Sequence, residues 1–373
     1  MGFEVGPLSP LDEYPIHQIS EPLRFMATTD GRAFDRYYFS VGDADQGLLV
    51  DVGFGVYPNV GTADAFAIFA HGDTHTSVRV QRLIGYDRAD MTFGPISAEV
   101  VKPFREWRLR LDHNDQDLRF DIAVRDTKRQ VFIRRFPRPS SYDGITRPDE
   151  HSGYEGFGTA EGWIEYKGER FDLVAGRTRG NRDHHWGIRE GMGGRNFIVG
   201  ESERSTHCSQ YAEFGDWAIW SGRIMYNDGD PRPAALDVVQ VERQLRFDPD
   251  TRALVGGTFI NHLADGEVKT IHYEQVGRCV AYLRTGLYAG PDGRGTPGDN
   301  YSHGEYPGKL LVTGQSVDVS TPEARLSLQG MTDRLVRATC DGETTSGILE
   351  TIDPIAYEFC ANGVPGFSFA ADD

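Results

Sequence analysis

Short segments in which apolar and polar residues alternate run through most of this chain, and stripes with helical spacing are scarce. Ser77–Leu83 (SVRVQRL), Trp107–Leu111 (WRLRL), Leu118–Val124 (LRFDIAV) and Gln130–Phe136 (QVFIRRF) carry the pattern early. Tyr211–Met225, Leu236–Phe247 (LDVVQVERQLRF), Val268–Val276 (VKTIHYEQV), Lys309–Val319 and Leu335–Thr339 carry it later. Successive side chains of a strand point to opposite faces. Alternation rich in Val, Ile, Phe and Tyr therefore predicts strands with one face buried. Arg79, Arg108, Arg110, Arg119 and Arg243 are expected on the solvent face. Only Pro322–Leu328 reads as a short turn of helix. The 44 Gly and 19 Pro are scattered between these segments as turn punctuation. The most loop-like stretch is Pro137–Glu155.

A single sheet of so many strands would curl or split. In 373 residues, two barrels or sandwiches in tandem are the natural outcome. The expected division is 1–195 and 196–373. Asp plus Glu number 56 against 39 Lys plus Arg, a net charge of −17. Such a surface repels phosphate backbones and argues against a nucleic-acid partner. No apolar run approaches the ~20 residues that span a bilayer as a helix. The start, MGFEVGPLSPLDEYP, has neither the basic nor the apolar part of a secretory signal. Cys208, Cys279, Cys340 and Cys360 form no CxxC pair and are too sparse for a disulfide framework. They read as buried thiols of a cytoplasmic protein, with Cys340 and Cys360 the one pair left open for a bridge.

One stretch breaks the pattern. Gly176–Arg189 (GRTRGNRDHHWGIR) packs Arg182, Asp183, His184, His185, Trp186 and Arg189 close together. Adjacent acid and imidazole groups beside an indole suit a polar site with an apolar wall. A salt-bridged turn plugged by Trp186 is the plainer alternative, since Arg–Asp clusters often serve structure alone. Other signals carry less. His71 and His75 are four apart, but Gly72 and the strand that follows place them on a loop rather than on a metal-binding helix. Gly191–Gly194 precedes no helix, so it is a turn rather than a phosphate cradle. Phe214, Trp217, Trp220 and Tyr226 are spaced for both faces of strands, with Trp217 the one assigned to a ligand. No metal ligand set and no cofactor motif are evident.

The run Asn181-Arg182-Asp183-His184-His185-Trp186-Gly187-Ile188-Arg189 resembles the signature of the carotenoid 1,2-hydratase (hydroxyneurosporene synthase-like) superfamily. That superfamily includes fungal decalin-forming Diels–Alderases and bacterial attachment-type proteins. In its hydratases a His-x-Trp is followed one strand later by Tyr-x-Asp. Here His184 and Trp186 are followed by Tyr211-Ala212-Glu213, with Glu in place of Asp. Gly158–Gly176 and Cys340–Glu350 (CDGETTSGILE) are similar to the superfamily's lead-in and closing strand pair. The resemblance implies an all-β fold of two lipocalin-like barrel or sandwich domains in tandem, each able to enclose an apolar ligand.

The chemistry of these residues can be read without the name. Adding water to an isolated alkene begins with protonation to a carbocation. A carboxyl kept neutral by desolvation can supply that proton, and Glu213 is the expected donor. His184 would then take a proton from the attacking water, or give one in the reverse direction. The face of Trp186 would stabilise the cation, and Tyr211 would donate to the carboxylate or to substrate. Asp183 would orient an imidazole, His185 and Trp217 would contact the ligand, and Arg182 and Arg189 would support the site. The expected activity is a cofactor-independent hydro-lyase or double-bond isomerase. Its substrate would be a hydrophobic terpenoid, steroid-like or aromatic molecule, bound near the domain junction. A non-catalytic carrier needs the same cavity but no titratable pair, and a pericyclase needs only pocket shape and a polarised carbonyl.

Overall fold

A computed structural model describes residues 8–134, 150–189, 191–193, 207–221, 225–226, 232–288, 302–305 and 308–370. The protein is nearly all β, in two curled half-barrel sheets, as the alternating pattern requires. The first sheet begins with β1 (Ala33–Asp43), β2 (Leu48–Tyr57), β3 (Thr62–His71) and β4 (Thr74–Leu83). It continues with β5 (Thr92–Phe93), β6 (Ile96–Lys102), β7 (Glu106–Leu111), β8 (Leu118–Asp126) and β9 (Val131–Arg134). The long β10 (Glu150–Tyr166), β11 (Glu169–Leu173) and β12 (Arg179–Ile188) follow. The loop expected over Pro137–Glu155 is therefore already strand from Glu150, and its earlier part lies outside the described residues.

The second sheet contains β13 (Cys208–Glu213), β14 (Ala218–Trp220), β16 (Val238–Phe247), β17 (Leu254–Leu263), β18 (Val268–Tyr282), β20 (Met331–Cys340), β21 (Glu343–Ile352) and β22 (Phe367–Phe369). Two later strands join the first sheet instead. β15 (Met225–Tyr226) pairs with β9, and β19 (Leu311–Asp318) pairs along the whole of β4. The helices α1 (Pro322–Leu328) and α2 (Asp353–Ala361) are short. Thr321 caps α1 by accepting from the Ala324 amide, and Pro322 sits in its first turn, where a missing N–H costs nothing.

Three apolar layers follow from which face each strand buries. Phe39, Val50, Val52, Phe54, Trp107, Leu109, Phe120 and Ile122 fill the first barrel. Leu245, Phe259, Tyr273, Val336 and Leu349 fill the second. Between them Tyr38, Leu49, Phe66, Ile68, Cys279, Leu335 and Ile348 cement the sheets back to back. β2 and most of β1 and β3 are thus buried on both faces. Arg79, expected outside, is buried because β19 and the turn after β18 cover β4; its guanidinium donates to the Thr285 carbonyl at 2.8 Å. His75 is likewise buried, with its ring between the Val280 carbonyl and the Thr285 hydroxyl, while His71 bonds the Gly47 carbonyl. The two imidazoles face different partners and share no ligand. All four cysteines are buried and free.

Candidate active site in the first barrel

β12 runs between β1 and β10, and the ladder sorts its charged cluster onto two faces. Tyr37, His184 and Tyr154 stand side by side across the three strands, as do Asp35, Trp186 and Ser152. One residue along, Tyr38, Asp183 and Glu155 form a row on the opposite face, and so do Arg36, His185 and Gly153. Arg182, His184 and Trp186 therefore serve the first barrel, and Asp183 and His185 serve the junction.

On the barrel side lies a cavity of about 890 Å³. Tyr37, Trp107, Phe132, Tyr154 and Trp186 give it an aromatic wall, Asp35, Gln130 and His184 are its polar members, and Val100, Pro103 and Phe104 form the exposed rim. The His184 ring stacks on Tyr37 with centroids 3.8 Å apart, meets Trp186 at 5.0 Å and takes the Tyr154 ring edge-on at 5.3 Å. Its Nε2 lies 2.6 Å from Asp35 Oδ1, and an Arg88 nitrogen lies 3.7 Å from Asp35 Oδ2. A carboxylate on Nε2 takes the N–H there and leaves Nδ1 as the basic nitrogen. Below the cavity Arg182 is fully buried. It forks onto Asp126, at 2.5 Å for its shortest bond, and donates to the Tyr154 hydroxyl at 3.1 Å. Burial pushes the Tyr37 and Tyr154 hydroxyls up, so both stay neutral donors.

The structure brings together only part of the set expected from sequence. His184 and Trp186 line the cavity, with Arg182 as their support. Glu213 does not. It lies on β13 of the other sheet, where its Oε1 accepts from Lys128 Nζ at 3.0 Å and from Thr127 at 2.6 Å. The apolar setting expected to keep Glu213 neutral is replaced by a buried cation. Tyr211, two residues back, is packed among junction and neighbouring core residues; burial first, then Glu155, pushes its hydroxyl well up. Trp217 stacks on Phe214 at 4.2 Å against the second core, far from the expected ligand role. Arg189 follows the end of β12 near Tyr288 and His303. Asp183 and His185 meet Glu155, whose Oε1 is 3.7 Å from His185 Nε2. Burial pushes the Asp183 carboxyl up to about 6. The ligand atoms of these three lie within 4.8 Å of one another, the one such group among the described residues with the donors for a metal ion.

Sequence reasoning missed Asp35, Tyr37, Trp107, Phe132 and Tyr154. Asp35 stands 149 positions from His184 in sequence and reaches it only through the β1–β12 register.

No curated protein matches the sequence. Among solved structures the chain is similar to an AttH from Nitrosomonas europaea, with 13% identity over 91% of this chain and 98% of that one and a TM-score of 0.46. It is similar to CghA bound to Sch210972, with 11% identity over 86% and 88% and a TM-score of 0.41. It is also similar to kievitone hydratase from Nectria haematococca, with 9% identity over 85% and 88% and a TM-score of 0.30. A sequence family described only as a family of unknown function, DUF8625, matches residues 8–231, which hold every side chain of the aromatic cavity, and the chain belongs to that family.

Proposed function

We propose that this protein is a cofactor-independent acid–base enzyme, a hydratase, dehydratase or double-bond isomerase, acting on a hydrophobic small molecule held in the first barrel. The observation that carries this reading is the placement of a single carboxylate-oriented imidazole in the wall of a mostly aromatic cavity. Ligand pockets of this size are mostly apolar, with a few polar groups that fix orientation. Here those groups are also the reactive ones.

His184 Nδ1 is the proton carrier. Asp35 holds the ring in one tautomer and stabilises the imidazolium when Nδ1 takes a proton; Arg88 steadies the other carboxylate oxygen. In the hydration direction protonated His184 gives its proton to the alkene carbon, water adds to the resulting cation, and the proton that water loses returns to the His184 nitrogen. In dehydration protonated His184 gives its proton to the leaving hydroxyl, water departs, and the now neutral nitrogen takes a neighbouring C–H proton as the alkene forms. In isomerisation His184 gives its proton to one carbon and takes one back from another. Each requires a cation to survive briefly between aromatic faces. Trp186, Tyr37 and Tyr154 supply those faces, each worth about 2 kcal/mol at best in a dry site. Glu213 has no part in this scheme.

The test uses a panel of terpenoid and prenylated aromatic alkenes and their hydrates, with deuterium uptake from D₂O as the readout. The parent protein is expected to exchange or convert at least one of them. His184→Ala and Asp35→Asn are expected to slow turnover roughly 10²–10⁴-fold while leaving ligand affinity within a few-fold. A ligand bound equally by parent and variants, with no turnover in any, would identify a carrier. Conversion without deuterium uptake, insensitive to both variants, would identify a pericyclase, and deuterium uptake insensitive to both would overturn the roles of His184 and Asp35.

A further inference from the structure

The three exposed lining residues of the cavity belong to one hairpin. β6 and β7 are joined by a tight turn at Lys102–Glu106, and Val100, Pro103 and Phe104 at this tip form the rim. Val100 is 37% exposed, Val101 49% and Phe104 46%. Phe104 also sits at φ +57°, in the left-handed region that a bulky residue avoids. Its backbone is pinned there, because Gln130 donates to its carbonyl at 3.0 Å. Its ring leans edge-on to Tyr154 at 5.5 Å, one side toward the cavity and the other toward solvent. A strained, solvent-facing aromatic held at a cavity mouth is a feature that folding alone does not favour.

The surroundings favour one occupant. Lys102 and Arg105 flank the tip, and Lys102 is one of only five lysines in a chain of net charge −17. The outer edge of β6 beyond Ser97 pairs with no strand among the described residues, so the tip projects from the sheet. A protein partner or a second copy seated on this tip would cover the mouth that a ligand must pass. A lipid surface would not: it accepts apolar side chains, attracts the flanking cations and is itself where water-insoluble molecules are dissolved.

We infer that the β6–β7 tip docks on lipid surfaces, seating Val101 and Phe104 among the acyl chains so that hydrophobic ligand passes from lipid into the cavity without crossing water. This rests on the cavity being the ligand site, but not on its chemistry.

The experiment is co-sedimentation of the full chain with phosphatidylcholine vesicles, with and without phosphatidylglycerol. A double variant, Val101→Asp with Lys102→Glu, changes neither a cavity-lining residue nor the His184–Asp35 pair. Thermal unfolding checks that it folds as the parent does. The parent is expected to sediment with the vesicles, more strongly with the anionic lipid, and the double variant to bind roughly tenfold or more weakly. Uptake of the apolar fluorophore N-phenyl-1-naphthylamine supplies a second readout. Transfer from preloaded vesicles should slow in the double variant, while uptake of dissolved fluorophore should not. His184→Ala should bind vesicles like the parent, so loss of the catalytic reading leaves this result standing. No vesicle binding by the parent, equal binding by the double variant, or a tip buried in a dimer in solution would each overturn the inference.

Discussion

At the scale of single residues, the contrast between His184 and Glu213 shows what a carboxylate's neighbour decides. Asp35 beside His184 faces a cavity and has an imidazole to orient. Glu213 is locked to Lys128, with both side chains nearly excluded from solvent. Removing one member of a buried ion pair leaves the other charge without compensation, which costs about 3–5 kcal/mol. Lys128→Met is therefore expected to lower the unfolding free energy measured in urea by that order, and Glu213→Gln by somewhat less, since its amide oxygen still accepts from Thr127. Catalysis per folded molecule should change little in either. A Glu213→Gln protein of parental stability that has lost turnover would return Glu213 to the reaction. The local logic of the sequence, that Tyr211 and Glu213 share one face with a Tyr-x-acid spacing, describes the strand correctly; both are on β13. Spacing along a strand does not say which sheet the strand joins, and β13 joined the other one.

At the scale of elements, β12 holds the site because its neighbour β10 makes room for it. On β10, Gly153 lies opposite His185, and a Cβ there would collide with the imidazole ring and with the His184 carbonyl. Gly153→Ala should push β10 and β12 apart locally. The expected result is a loss of roughly 1–3 kcal/mol by chemical denaturation, as for other overpacked interiors. Weakened binding in the cavity should accompany it, because Tyr154 is the next residue along. Unchanged stability and affinity would mean that the ladder yields here without moving the site. The same elements explain what was legible in advance. Strands with one wet face, such as β7, β8 and β16, show themselves by alternation. β1 to β3 pack against the first barrel on one face and the junction on the other, so Leu48–Tyr57 reads LLVDVGFGVY, with little polar alternation. The all-β class and the His184–Trp186 motif could be read from local order. The cavity could not, because its wall is drawn from β1, β6, β7, β9, β10 and β12 and exists only once their registers are set.

At the scale of the whole molecule, the two sheets meet through a buried pair of acids, one from each. Ser40 Oγ lies 2.5 Å from Asp51 Oδ1 on β2 and 2.9 Å from Asp333 Oδ2 on β20, which also accepts from Tyr38. A hydroxyl has one hydrogen and can donate to only one of them, so the other carboxyl must carry a proton and donate to Ser40. Burial pushes Asp51 up to about 7 and Asp333 well above the ordinary carboxylate range. The folded state thus holds protons that the unfolded chain releases near pH 4. Their contribution to stability is whole below that point and is lost as pH rises through about 7, at up to about 1.4 kcal/mol per pH unit for each proton. Urea midpoints should fall between pH 5 and 8 in the parent, and less steeply in Asp51→Asn. Equal slopes in the two would show that the pair is not the source. The pairing of β19 with β4 reaches further still. Two hundred and more residues separate the strands, so a ribosome making this chain has long released β4 before the strand that covers its open edge is synthesised. Until then the nascent first barrel presents an unpaired edge, the kind of surface that recruits chaperones or joins neighbouring chains. The barrel that carries the cavity is begun first and closed almost last.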